Sequence, residues 1–158
     1  RLLGDQIRTV SRKNLVKGRK FSEMLNDALT RYTNRSLTTA EIIAELVSLA
    51  KDMRADRERA QQMGLSDAEI ALYDAITQND SAILEMGDET LKTIARELVA
   101  TIRSSATLDW TVKESVRARM RSRIKRLLAK YKYPPDKREQ AVQLVIEQAE
   151  HLATGEQD

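Results

Sequence analysis

An all-α fold is what this sequence predicts, and three observations predict it. Apolar residues recur at three- and four-residue spacings over nearly all of the 158 residues. Several periodic segments open on a Ser or Thr followed three residues later by Glu, the pattern of a capping box. No alternating run of β-branched residues is long enough to make a strand. Together they predict a single helical domain over 1–158, of about seven helices with short capped turns. There is no low-complexity linker and no obvious internal repeat.

Each element has its own reason. At the front, Ile7 to Val16 reads as one helix and Phe21 to Tyr32 as the next. Thr38 and Glu41 then form a capping box. The helix it opens carries Ile42, Ile43, Leu46, Val47, Leu49, Ala50 and Met53 as its apolar residues. Beyond Met53 the run Arg54 to Arg59 has little to bury. Pairs such as Arg54–Glu58 and Asp56–Arg59 could extend the helix as a solvated arm. Gly64 ends it, since glycine takes the left-handed conformation without steric cost. Ser66 and Glu69 are a second capping box, for a helix through Leu72, Tyr73 and Ile76.

Asn79-Asp80 breaks that helix, and a short turn with Ile83 and Leu84 stops at Gly87. Asp88 is expected to cap the next helix, with Leu91, Ile94, Ala95, Leu98, Val99 and Ile102 as its apolar face. Thr111 and Glu114 make a third capping box, and the helix they open reaches about Lys132. Trp110 precedes it as a hydrophobic staple against Ser115 or Val116. Pro134-Pro135 forbids continuation, and Pro135 can open a final helix. That helix uses Ala141, Val142, Leu144, Val145 and Ala149 and frays near Gly155.

Composition excludes whole classes of function. With 41% hydrophobic and 32% charged residues, the chain can bury a sizeable core without staples. There is no Cys, hence no disulfide, no thiolate zinc site and no cysteine nucleophile. No run approaches the ~18 apolar residues that would span a membrane, and a cytoplasmic location is expected. Arg1 stands where an initiator Met would, and Leu2-Leu3 is no signal core, so a piece of a longer chain is expected. Neither a Walker A run nor a G-x-G-x-x-G fingerprint occurs. The one histidine, His151, has no triad to join; near the end of the last helix, its imidazolium would favour the helix dipole. Pro135-Asp136 begins like a PD-(D/E)-x-K nuclease motif, but it opens a helix and Lys137-Arg138-Glu139 follows. Catalytic, cofactor-binding and metal sites are all expected to be absent from these residues.

Charge is where the sequence has something positive to offer. The net +3 conceals four blocks. Residues 1–35 hold nine Lys/Arg against three Asp/Glu, a net +6, and residues 36–112 hold seven against fourteen, a net −7. Residues 113–138 hold eleven against two, a net +9, and residues 139–158 hold none against five, a net −5. Along 112–132, Val112, Val116, Met120, Ile124, Leu127, Leu128 and Tyr131 form one stripe. Lys113, Arg117, Arg119, Arg121, Arg123, Lys125, Arg126, Lys130 and Lys132 fill most of the rest of the circumference. Like charges at i,i+4 cost a few tenths of a kcal/mol per pair, which calls for a compensating partner. Phosphates, an acidic protein surface and the chain's own acidic stretches all fit. Of the aromatics flanking this helix, Tyr133 is the candidate for exposed base stacking.

Particular strings add to this reading. Arg19-Lys20-Phe21-Ser22-Glu23-Met24-Leu25 is followed by Ala28-Leu29-Thr30-Arg31-Tyr32 and Asn34-Arg35. Leu65-Ser66-Asp67-Ala68-Glu69, Tyr73-Asp74-Ala75 and Ile94-Ala95-Arg96-Glu97-Leu98 come next. Asp109-Trp110-Thr111, Ser115-Val116-Arg117-Ala118 and Tyr131-Lys132-Tyr133-Pro134-Pro135-Asp136 close the set. In this order and spacing they resemble the C-terminal helical region of the restriction (motor) subunit of type I restriction–modification enzymes, over nearly the whole chain.

The resemblance implies a parent subunit with an N-terminal nuclease and two ATP-hydrolysing motor domains that translocate duplex DNA. ATP and Mg²⁺ belong to that parent, an ATP-dependent endonuclease, and no catalytic residue carries over to this stretch. It implies an assembly role here: docking the motor onto the methyltransferase (modification) and specificity subunits, chiefly the former, with DNA passing nearby. The candidate contact residues are the arm residues Arg54, Arg57 and Arg59, and Arg117, Arg119, Arg121, Arg123, Lys125, Arg126, Lys130 and Lys132 of the basic helix. Charge reversal at Arg119, Arg121 and Lys125 is then expected to weaken assembly while the fold survives. The alternative is a helical module that contacts duplex DNA through the basic 113–132 helix.

Overall fold

A computed structural model describes residues 2–78, 80–104 and 114–156. Among them are eight helices and no strand. In order they are α1 (Leu2–Lys13), α2 (Leu15–Thr33), α3 (Thr39–Met63), α4 (Asp67–Ile76), α5 (Asp80–Met86), α6 (Asp88–Ser104), α7 (Glu114–Lys130) and α8 (Pro135–Glu156). The eighth is α5, the short turn around Ile83 and Leu84, which is wound into a helix of 7 residues. The expected Thr111–Glu114 capping box, the Trp110 staple, Val112, Lys113 and the Asn79 break lie outside the described residues, as does the Val116 side chain.

Two of the three expected capping boxes are present as drawn. Thr38 accepts from the Glu41 backbone while Glu41 accepts from that of Thr38, and Ser66 and Glu69 do the same. Gly64 is left-handed at φ 70°. The front of the chain differs from expectation. The first break falls at Asn14, not near Gly18, because the Asn14 side chain caps α2 by accepting from the Lys17 amide at 3.1 Å. Gly18 is buried inside α2, where an added Cβ would lie 2.7 Å from the Ser11 Cα. Its role is therefore close approach of α1 and α2, which a glycine in a sequence does not distinguish from a turn. Asp88 is the first residue of α6, after the left-handed Gly87. Its carboxylate accepts from the Tyr73 hydroxyl at 2.5 Å.

The apolar residues gather in two clusters. The larger joins α4, α6, α7 and α8, with Leu72, Ile76, Leu98, Ile124, Leu128 and Ile146 at its centre. All six apolar positions expected on α6 are buried there. The smaller holds only Ile7, Phe21, Leu49 and Met53 at the base of the α2–α3 hairpin, with Leu3, Val10 and Leu25 around them.

Between the clusters runs a polar seam. Asp74 on α4 is 3% exposed and takes both guanidinium nitrogens of Arg59, at 2.9 and 2.8 Å, and the Asn14 amide at 2.7 Å. Gln148 on α8 is fully buried, accepts from the Leu15 amide at 2.8 Å and donates to the Lys13 carbonyl at 3.2 Å. The His151 Nε2 donates to the Ser11 carbonyl, so this imidazole ties α8 to α1 rather than serving the end of its own helix. Buried polar groups persist only when partnered, and this set is partnered across the seam.

Candidate functional site

Two surfaces stand out. The first is the far half of the α2–α3 hairpin. Ile43 and Val47, two of the apolar residues that carry the helical spacing of α3, are 56% and 49% exposed, and Leu29 and Tyr32 on α2 are 43% and 42% exposed. Helical phase explains the arrangement. Arg31 bridges Glu45 with two bonds of 2.8 and 2.7 Å on one flank of the hairpin. Leu29, Tyr32, Ile43 and Val47 fall on the opposite flank, the one carrying Leu25, which packs beside Leu3 and Val10 of α1. Helix α1 therefore covers the base of this flank, and among the described residues the outer apolar face stays exposed. A packed hairpin of two helices has one buried seam, here Ala28 with Ile42; anything off that seam needs another layer.

The second surface is α7. The structure divides its cations by direction. Toward α8, Arg117 pairs with Glu150 at 2.6 Å and Lys125 with Glu139 at 3.0 Å. Toward α6, Lys130 lies 4.0 Å from Glu97, which also accepts from the Tyr131 hydroxyl at 2.6 Å. The acidic stretches on either side in sequence thus supply part of the compensation. Arg119, Arg121, Arg123, Arg126 and Lys132 are exposed. Lys132 sits past the helix end at φ 60°.

The arm on α3 is divided in the same way. Arg54 and Arg57 are exposed, whereas Arg59 turns inward to Asp74 and to Asp56, the latter at 3.1 Å. Burial alone would lower the Arg59 guanidinium, and the Asp74 carboxylate outweighs it, holding the group above its ordinary value. Arg59 is thus part of the polar seam. The Asp56–Arg59 pair expected for a solvated arm exists, but Lys17 joins it at 3.6 Å and the cluster faces α2.

Tyr133 is not an exposed stacker. It is 1% exposed, and its hydroxyl donates at 2.6 Å to the Ile76 carbonyl, satisfying the end of α4. Burial pushes the phenol up to about 12. Among the described residues, no group of three or more His, Cys, Asp or Glu is placed to hold a metal. No helix among them is long and apolar enough to cross a membrane.

These surfaces belong to a recognisable domain. Residues 1–155 match the family model described as type I restriction enzyme HindI endonuclease subunit-like, C-terminal. The chain belongs to that family. It is 44% identical over 153 residues to the type I restriction enzyme HindI endonuclease subunit of Haemophilus influenzae, covering 97% of this chain and 14% of that protein. It is 34% identical over 133 residues to the putative type I restriction enzyme MjaIXP endonuclease subunit of Methanocaldococcus jannaschii, covering 82% of this chain and 12% of that one. The chain thus corresponds to about a seventh of the relatives' length. No solved structure matches it. The all-α architecture is that of the C-terminal domain of a type I restriction endonuclease, and its described residues expose one apolar hairpin face and one basic helix.

What the sequence reading missed is the hairpin face. Its residues were legible as apolar, but periodicity does not say which apolar positions find a neighbour. The signal that was available is width: Ile42, Ile43, Leu46, Val47, Leu49, Ala50 and Met53 cover more of the α3 circumference than packing on one helix can bury.

Proposed function

We propose that this domain is the assembly module of a type I restriction enzyme R subunit. It docks the ATP-dependent, DNA-translocating endonuclease subunit onto the methyltransferase–specificity core, chiefly onto the modification subunit. The parent subunit's ATP, Mg²⁺ and catalytic groups lie outside this stretch.

The observation that carries this reading is the outer hairpin face: Leu29, Tyr32, Ile43 and Val47 exposed together on one flank. Stable protein interfaces use an apolar centre with a charged rim. Here the apolar centre has Arg54 and Arg57 exposed about two and three turns beyond Val47 along α3. Family membership supplies the second support, since the relatives are named as endonuclease subunits of multi-part enzymes. The exposed cations of α7 remain the other candidate rim.

The test is assembly of the modification–specificity core with an R subunit that bears Ile43→Asp and Val47→Asp, measured by analytical ultracentrifugation. An apolar hot spot at the centre of an interface contributes ~2 kcal/mol or more per residue, so the expected loss of affinity exceeds about thirtyfold. Unchanged assembly with an intact helical spectrum would remove the hairpin from the dock. The R119E/R121E/K125E variant run beside it weakens assembly only if α7 forms part of the rim.

A further inference from the structure

One line of cations on α7 borders a groove between α6 and α7. Arg119, Arg123, Arg126 and Lys130 recur at steps of four, three and four residues, which places them in one line along the helix. The line faces α6 across an open groove of about 370 Å³ lined by Thr101, Ser104, Arg123, Arg126, Leu127 and Lys130. Arg119 continues the same line toward the start of α7. The pairs with Glu150 and Glu139 are made from the other edge of the helix, by Arg117 and Lys125. Glu97 is the acid at the Lys130 end of the line, and its nearer bond is to Tyr131.

We propose that this α6–α7 groove is a seat for the phosphate backbone of duplex DNA. The proposal rests on the groove alone, not on the docking reading. Three of the four cations are arginines, whose planar fork matches phosphate oxygens with two bonds. The Thr101 and Ser104 hydroxyls donate to the Glu97 and Thr101 carbonyls, at 2.9 and 2.8 Å, so the donors for a phosphate are the cations. The four cations span about 17 Å of helix, the run of several successive phosphates along one strand.

An acidic protein is the competing ligand, and the groove does not favour it. A protein interface needs an apolar centre, and the apolar member here is Leu127. Base stacking is not offered either: Tyr133 is buried under Ile76, and the Tyr131 hydroxyl is engaged by Glu97. Among the described residues the groove thus presents cations without a stacking face, which suits a duplex backbone and reads no sequence.

The test is fluorescence anisotropy of the chain with a labelled duplex of arbitrary sequence across a salt series. Four phosphate contacts give a slope of log K against log salt of about −3.6, so affinity falls about 150-fold between 50 and 200 mM salt. Arg119→Gln with Arg126→Gln lowers the slope to about −1.8, while Arg119→Lys with Arg126→Lys keeps it near the original, as charge counting requires. Lys125→Gln, on the α8 edge, leaves the slope unchanged.

Three results overturn the proposal: no binding at 50 mM salt, a slope as sensitive to Lys125→Gln as to the two arginines, or displacement of duplex by polyglutamate at equal charge. The last identifies an acidic protein surface as the ligand. The Ile43→Asp, Val47→Asp variant should bind duplex like the parent chain. Loss of assembly with retained DNA binding, or the reverse, therefore tells which of the two readings has failed.

Discussion

The α2–α3 hairpin and the α4–α6–α7–α8 bundle are built from the same kind of helix and end in opposite conditions. The bundle surrounds α4 so completely that Ile70 through Ile76 are all buried. The hairpin has three buried apolar residues at its base, Phe21, Leu49 and Met53, joined there by Ile7 of α1, and an outer half open to solvent on one flank. Both regions carry amphipathic sequence with capped starts. The difference is the number of neighbours, and it teaches that helical pattern specifies a helix while topology decides whether its apolar face is used internally. Among the described residues this region holds its shape through its own helices and the polar seam below, and leaves apolar surface exposed.

Breaking the seam should have the largest effect. Arg59→Ala strips a bidentate partner from the buried Asp74, and an uncompensated buried charge costs about 3 to 5 kcal/mol. Chemical denaturation would measure it, and a loss under 1 kcal/mol would mean that Asn14 alone satisfies the carboxylate. Next comes the bundle core itself. Leu98→Ala, at a fully buried position, should cost about 2 to 5 kcal/mol by transfer and cavity. A smaller loss would indicate that the bundle collapses around the gap.

The third prediction concerns pH. Asp88 is held below the usual carboxylate range, first by the Tyr73 hydroxyl and then by Lys92. A depressed carboxylate contributes stability that is present above its unfolded pKa, near 3.9, and is lost as pH falls through the folded value. Tyr73→Phe should therefore cost about 1 kcal/mol at neutral pH, discounted for the half-exposed carboxylate. The difference from the parent chain should shrink as pH is lowered below about 4. A difference that stays constant with pH would assign the loss to packing.

The smallest effect belongs to the hairpin face. Ile43→Ser removes an exposed apolar group and should change stability by no more than about 0.5 kcal/mol. Ile42→Ala one residue away, at a buried position, should cost several times as much. A large loss at Ile43 would erase the contrast between the regions.

Sequence reading reached much of this fold for physical reasons that can be named. Capping boxes are local, so Thr38–Glu41 and Ser66–Glu69 were visible. The α6 face was visible because its period is unbroken. The seam was not: Asn14 meets Asp74 across 60 positions and Gln148 reaches Leu15 across 133, and no periodicity encodes pairing at that distance. Tyr133 read as a candidate stacker because its partner is a backbone carbonyl, which every residue carries. On α7 the count of cations was legible, but their division between the α8 edge and the α6 groove depends on where those two helices lie.

The length of α3 has a mechanical consequence. From Arg59, fixed against α4, to Thr39 at the far tip is about 30 Å of continuous helix. A tilt of about 5° at that anchorage would carry the tip through roughly 3 Å, given the axial rise of 1.5 Å per residue. The Asp74 carboxylate, with the Asn14 amide bound to it, acts at the fulcrum end of this rod. Stiffness concentrated there sets how faithfully the hairpin tip follows a displacement of the bundle.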